Sequence, residues 1–332
     1  MPGRMRCRMR DLSRLGEHNL RQRVTNAACV CVSVLLLWIT GCGDPQVRVT
    51  NTSYEPRIVI AGLLMPDHPV NEIHISRNFR VNENPSQTPL LLPDAMAVLI
   101  EEETGERFEL TFTPVESAFG AFFDFQKSFF AYQGEENLTI RHGADYTLEV
   151  SAEMEGQELF ARATTTVPER GFRIAAVSHE RFRYRERGTD DEVITPELTI
   201  ERSPGTDFHL MTAVPLAPSP TSFIYDNPFT DEDPNNLDLG DFVYEFEWIQ
   251  NTPLGSGLSS MQIFWWDLWF YGQHRIVVYA ADANYASFLQ TFDEVQEDDG
   301  NFHEPVFSIE GDGIGYFGSA IPDTVHVEIL RD

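Results

Sequence analysis

DYTLEVSAEMEGQELFARATTT, residues 145–166, reads as a β-hairpin. Tyr146, Leu148 and Val150 alternate with Thr147, Glu149 and Ser151. That period of two sets one face of a strand against a core and turns the other toward water. Glu155-Gly156 interrupts the pattern and residues 158–166 resume it, which places the turn at the glycine.

The same signals recur on either side. RIVIAGL (57–63) is a short apolar run rich in β-branched residues, and VNEIHIS (70–76) alternates. AVLI (97–100) leads through residues 101–104 to Gly105, and RFELTF (107–112) alternates again, which predicts a second hairpin. Short strands joined by regular turns predict an Ig-like β-sandwich over residues 51–168, closing at Val167-Pro168. A second β-rich domain is expected over residues 169–332, opening with GFRIAAV (171–177). Its further strands are expected at 197–201, 208–213, 242–248, 262–270, 275–280 and 324–329. Residues 215–240, dense in Pro and Asp, read as a long acidic surface loop. NYASFLQTFDEV (284–295) sets Tyr285, Phe288, Leu289 and Phe292 at helical spacing. The expected class is therefore mainly β, a sandwich followed by a β-rich domain with one short C-terminal helix.

The composition changes most sharply near the N-terminus. Residues 1–26 carry seven arginines against Asp11 and Glu17, and residues 27–40 form an apolar run. A basic segment followed by an apolar one is the layout of a secretory signal. The run falls short of the roughly 20 residues that a spanning helix needs. It ends at Ile39-Thr40-Gly41-Cys42, which resembles the bacterial lipobox: an aliphatic residue, two small residues, then a cysteine. The thiol accepts diacylglycerol, and small residues before it let a peptidase reach the backbone. Residues 1–41 are thus expected to be a lipoprotein signal peptide and 42–50 a tether, with lipid on Cys42 as the only attached group. Cys7, Cys29 and Cys31 leave with the signal, so the mature chain has no second thiol for a disulfide or a thiolate metal site. Acyl chains hold such a body at a membrane surface without crossing it. Gly43 is not the aspartate tied to inner-membrane retention in enteric bacteria, which favours the outer membrane and leaves the face open.

Removing the signal takes away seven of the 24 basic and two of the 52 acidic residues, leaving 17 against 50 and a formal charge of −33. Such a body repels nucleic acid. Solubility or a salty habitat accounts for the charge, and attraction for cations or a basic partner is the alternative.

Chemistry-bearing motifs are sparse. Gly313-Ile314-Gly315-Tyr316-Phe317-Gly318 spells G-x-G-x-x-G, but the dinucleotide fingerprint requires a helix after it, and here Pro322 and a strand-like run follow. A tight glycine turn packing Tyr316 and Phe317 is expected instead. Asp231, Asp233, Asn235 and Asp238 crowd one loop and are weak calcium candidates, since Asn236 and Phe242 stand where an EF-hand requires Gly and Glu. FWWDLWFY (264–271) is the densest aromatic run. Strand alternation would put Phe264, Trp266, Leu268 and Phe270 on one face and Trp265, Trp269 and Tyr271 on the other. The second face either stacks on sugar rings or another apolar ligand, or packs under the 215–240 loop. The histidines are scattered without metal-binding spacing, and no nucleophile elbow occurs. An enzyme is not expected.

Several stretches together resemble one family. RIVIAGL (57–63) with VNEIHISR (70–77) is similar to the start of a Bacteroidota lipoprotein family, domain of unknown function 4249. YTLEV (146–150) with FARATTTVP (160–168) resembles its middle. Residues 284–295, then Pro305 and the 313–318 glycines, resemble its closing helix and Gly-Gly-x-Phe-like turn. The resemblance implies an outer-membrane lipoprotein near TonB-dependent receptors and brings no catalytic residues. The expected function is a binding or accessory component beside such a transporter in nutrient uptake. The alternatives are a structural or adhesive surface lipoprotein and a carbohydrate-active enzyme.

Overall fold

The computed structural model describes residues 54–70, 73–80, 83, 90–114, 128–133, 138–189, 191–229, 248–249, 252–255, 257–294 and 304–331. Two units separate, Met1–Ser53 and Tyr54–Asp332, and the described residues all belong to the second.

The first seven strands are β1 (Ile58–Leu64), β2 (Ile73–Arg77), β3 (Met96–Glu101), β4 (Arg107–Thr113), β5 (Phe129–Tyr132), β6 (Asp145–Met154) and β7 (Gln157–Thr166). The β6–β7 hairpin turns where the sequence predicts it. Glu155 and Gly156 both take positive φ, 52° and 77°, as a two-residue turn matched to strand twist requires. Inward residues alternate along β7, with Leu159, Ala161, Ala163 and Thr165 buried between exposed neighbours. The β3–β4 hairpin also forms, with Gly105 at φ 72° donating its N–H to the Glu101 carbonyl.

The second half contributes β8 (Arg173–Val177), β9 (Arg181–Arg183), β10 (Glu197–Glu201), β11 (His209–Pro215), β12 (Trp248–Ile249), β13 (Thr252–Gly255), β14 (Leu258–Gln262) and β15 (Gly272–Ala281). Then come helix α1 (Ala283–Glu294), β16 (Ile309–Gly311) and the 18-residue β17 (Gly313–Leu330). Among the described residues the strands form a large mixed sheet, ordered β12-β11-β15-β17-β1-β2-β5-β4-β3-β6-β7-β16, and a four-stranded sheet β13-β14-β10-β8. The protein is mainly β, sandwich-like in its layering, with a helix where the 284–295 periodicity places one.

Strand β17 joins the two halves. Gly313–Ser319 pairs in parallel with β1, and Ala320–Ile329 pairs antiparallel with β15. Just before it, Asp312 fastens three strands. Its N–H donates to the Phe160 carbonyl, its carboxylate accepts the Phe160 N–H, and its carbonyl accepts the Ile58 N–H. The curled sheet so enclosed holds one apolar core, drawn from residues 58–167 plus Phe317. A second core, residues 172–329, lies between the four-stranded sheet and β11, β15 and β17. A third, smaller cluster seats α1 through Tyr285 and Ala286 on Phe208, Leu210 and Ala281.

Two local expectations change. The 313–318 glycines form the first third of β17, not a turn. Gly315 sits at φ 105°, and a Cβ there would run into the Ile60 carbonyl oxygen, so glycine is what lets β17 approach β1. The aromatic run is not a strand either. β14 stops at Gln262, and Trp265–Asp267 forms a 3₁₀ turn. Such a turn advances about 120° per residue, which abolishes the two-faced alternation. Instead Phe264 stacks on Trp266, with centroids 4.2 Å apart, and Phe270 bridges to Phe223.

Candidate functional site

The aromatic run gathers beside the end of β17. There β9 pairs in parallel, with Glu328 opposite Arg181, Ile329 opposite Phe182 and Leu330 opposite Arg183. The alternation of RFRYR (181–185) follows from that pairing: Phe182 and Tyr184 point inward and are buried, while Arg181, Arg183 and Arg185 stand exposed. Arg185 takes a positive φ of 54°, a left-handed conformation that costs a side-chain-bearing residue about 1–2 kcal/mol.

Tyr184 is the hub. Trp265 meets it edge-on at 6.0 Å and 84°, and Tyr271 meets it edge-on at 6.1 Å and 80°. The Arg185 guanidinium lies over the Trp265 ring, its carbon 4.8 Å from the centroid. Arg331 lies over the Tyr271 ring at 5.1 Å. The order Arg185, Trp265, Tyr184, Tyr271, Arg331 thus makes one continuous chain of ring and guanidinium contacts. Each aromatic pair contributes about 0.5–1.5 kcal/mol and each exposed cation–π contact about 0.5–1 kcal/mol. The Tyr184 hydroxyl is buried and has no hydrogen-bond partner among the described residues. Burial also pushes its pKa up, so it stays a neutral phenol.

Of the three residues proposed for ligand stacking, Trp265 and Tyr271 come together around Tyr184, and Trp269 does not join them. Trp269 lies nearly parallel to Phe223, with centroids 6.4 Å apart. The first part of the expected 215–240 loop holds this arrangement. Ile224 N–H donates to the Trp269 carbonyl, Tyr271 N–H to Ser222, and the Asn227 amide to the Trp266 carbonyl. Asp267, within the 3₁₀ turn, is raised to about 6 by burial. Cys42 with Ile39, Thr40 and Gly41, and the calcium candidates Asp231, Asp233, Asn235 and Asp238, lie outside the described residues. Sequence reasoning missed Tyr184, Arg185 and Arg331. The alternation of aromatic residues and arginines in RFRYR was the available signal for the first two.

A second polar centre sits where α1 begins. Asp282 caps the helix, accepting the Tyr285 N–H at 3.0 Å. Its other oxygen accepts the Thr165 hydroxyl at 2.7 Å, and Thr165 also meets the Ser319 hydroxyl at 2.8 Å. Burial pushes the Asp282 carboxyl up, against the pull of those hydrogen bonds. The network ties β7, β17 and α1 together. Beside it lies an open cleft of about 300 Å³ lined by Arg162, Ala163, Thr164, Asn284, Ser308 and Glu310. Its charges are mixed, and its Asn284 amide is already bonded to the Thr164 carbonyl.

Among the described residues no three His, Cys, Asp or Glu side chains are grouped to hold a metal ion. None of the described helices is long and apolar enough to cross a membrane. No curated protein matches the sequence. A family model, domain of unknown function DUF4249, matches residues 44–322. That span covers the first apolar core, the second except for its residues at the end of β17 (Val327 and Ile329), and Tyr184, the hub of the aromatic group. The chain belongs to the DUF4249 family.

Proposed function

We propose that the protein is a lipid-anchored binding component of the bacterial outer membrane. In this reading it works as an accessory of a TonB-dependent receptor in nutrient capture. The observation that carries the reading is the Ile39-Thr40-Gly41-Cys42 sequence at the end of an apolar run too short to span a bilayer. Lipid on Cys42 makes residues 42–50 a tether, and the family match begins within it, at residue 44. Two acyl chains, at about 0.8 kcal/mol per buried methylene, hold such a body durably at the membrane surface.

The body suits capture rather than assembly on nucleic acid, given its formal charge of −33 after removal of the signal's seven basic and two acidic residues. β17 couples the two cores through continuous hydrogen bonding, which gives a rigid platform for the stack around Tyr184. Affinity capture from detergent-solubilised outer membranes tests the partnership. Recovery of a receptor barrel with the tagged protein is expected. Its consistent absence, with the tagged protein itself recovered from that membrane, contradicts the accessory role.

A further inference from the structure

We propose that the end of the body where Tyr54, Asn78, Arg80 and Glu155 meet faces the lipid bilayer. The first core then lies next to the membrane, and the second, with the aromatic group around Tyr184, is presented away from it. The proposal rests on the lipid-anchor reading above, since only an anchored chain has a membrane-facing end.

The first support is a clamp that holds the chain before β1 begins. The Asn78 side chain accepts the Arg57 N–H at 2.9 Å and donates its amide nitrogen to the Glu55 carbonyl at 2.8 Å. The Tyr54 hydroxyl donates to the Asn78 carbonyl at 3.3 Å, and the Arg80 guanidinium carbon lies 4.5 Å from the Tyr54 ring centroid. Arg80 in turn pairs with Glu155, in the β6–β7 turn, at 2.5 Å. The body therefore takes hold of the chain at residue 54. Only residues 43–53 separate that point from the lipid-bearing cysteine, a reach of at most about 40 Å even when fully extended.

The second support is the common direction of the strands. β1 and the first part of β17 run parallel, with Ile58 beside Gly313 and Leu64 beside Ser319. β7 runs the same way, since Phe160 bonds to Asp312 near one end and Thr165 to Ser319 near the other. β2 is antiparallel to β1 and sets Arg77 beside Ile58. The clamp, the end of β2 and the β6–β7 turn thus share one end of these strands, and the Arg80–Glu155 pair joins them. β17 leads away from that end. Its Glu328 stands opposite Arg181 of β9 and donates its N–H to the Glu180 carbonyl at 2.8 Å. The strand from Gly313 to Glu328 spans at most about 50 Å, and its later part carries the second core through Ile321, Val327 and Ile329.

The third support is charge. With the signal's residues removed the chain carries a formal charge of −33, which anionic headgroups repel. At physiological salt that repulsion reaches only about 8 Å, so it acts on whatever surface lies against the bilayer. A body lying flat exposes the most acidic surface to it, and one standing on its clamped end exposes the least. The tether keeps the clamped end close, so the far end is the one that lifts away.

Energy transfer to the membrane tests this. The membrane-extracted protein is reconstituted into vesicles of phosphatidylethanolamine and phosphatidylglycerol that contain rhodamine-labelled lipid as acceptor. Lipid occupies Cys42, so Gln157→Cys and Glu180→Cys, both at exposed positions, each take a single donor dye. Given the length of strand between them, the donor at position 157 should transfer at least about twice as efficiently as the donor at 180. Glu158→Cys and His179→Cys, at neighbouring exposed positions, repeat the comparison should either first variant fold poorly. Inserting a flexible Gly-Ser segment of about twenty residues after Pro45 should lower transfer from position 157 and narrow the difference. Equal transfer from the two positions, stronger transfer from 180, or no effect of the longer tether overturns the proposal. Flotation separates the two readings. Protein that does not float with the vesicles rejects the anchor and the proposal with it, whereas floating protein with equal or reversed transfer rejects the orientation alone.

Discussion

Asp267→Asn should stabilise the protein at neutral pH and do so progressively less as the pH falls. Asp267 sits in the 3₁₀ turn between Trp266 and Leu268, where burial raises its carboxyl from 3.8 to about 6. The folded protein therefore keeps a proton that the unfolded chain has released. Stability from this group is fully present below about pH 3.8 and is lost as the pH rises through about 6. A shift of about two units, at about 1.4 kcal/mol each, corresponds to about 3 kcal/mol, and residual solvent access trims this to about 2–3 kcal/mol. Asparagine never ionises, so the variant escapes that loss. Urea unfolding followed by tryptophan fluorescence, on wild type and variant from pH 3.5 to 8, gives the difference directly. The stability of the variant relative to wild type should rise by about 2–3 kcal/mol across the window from pH 3.8 to 6. A pH-independent difference, or one that grows toward acid, would refute the buried placement of the carboxylate.

Three other substitutions follow from the packing. His209 is fully buried, lies stacked at 5.7 Å on Phe172, and is depressed to about 4 by desolvation. The unfolded chain takes up its proton near pH 6.5 while the folded one stays neutral, so stability is lost as the pH falls from 6.5 toward 4, by about 3 kcal/mol. His209→Phe keeps the stack and should flatten that acid limb in urea titrations; an unchanged limb assigns the acid sensitivity elsewhere. Gly315→Ala should cost at least about 3 kcal/mol, since positive φ and a clash with the Ile60 carbonyl add together. Gly105→Ala, with φ 72° but open space around the added methyl, should cost only about 1 kcal/mol. Equal thermal shifts for the two alanine variants would mean that the close approach of β17 to β1 is not real.

Legibility in the sequence tracks the distance over which each feature is determined. The β6–β7 hairpin was readable because Glu155-Gly156 and the alternation on either side lie within 22 residues. Helix α1 was readable from Tyr285, Phe288 and Leu289 for the same reason, although Phe292 at the matching spacing stays exposed and stacks on Phe288. The role of β17 was hidden. Gly315 faces Ile60, and no local pattern reports a pairing across some 250 residues. G-x-G-x-x-G therefore read as a turn when it is a strand stripped of Cβ atoms for close packing. The aromatic run misled in another way. Alternation assumes extended backbone, and the 3₁₀ turn at Trp265–Asp267 breaks it, which separates Trp269 from Trp265 and Tyr271. The nearness of Tyr184 to the end of β17 could not be foreseen, because β9 reaches it only through a parallel pairing across some 150 residues.

The central claim is that the mature chain begins at a lipid-bearing cysteine. Mass spectrometry of the N-terminal peptide of the membrane-extracted protein tests it most directly. The account predicts a peptide that starts at Cys42 and carries diacylglycerol on its sulfur. A mature chain that starts elsewhere, or one in which Cys42 keeps a free thiol, would contradict it.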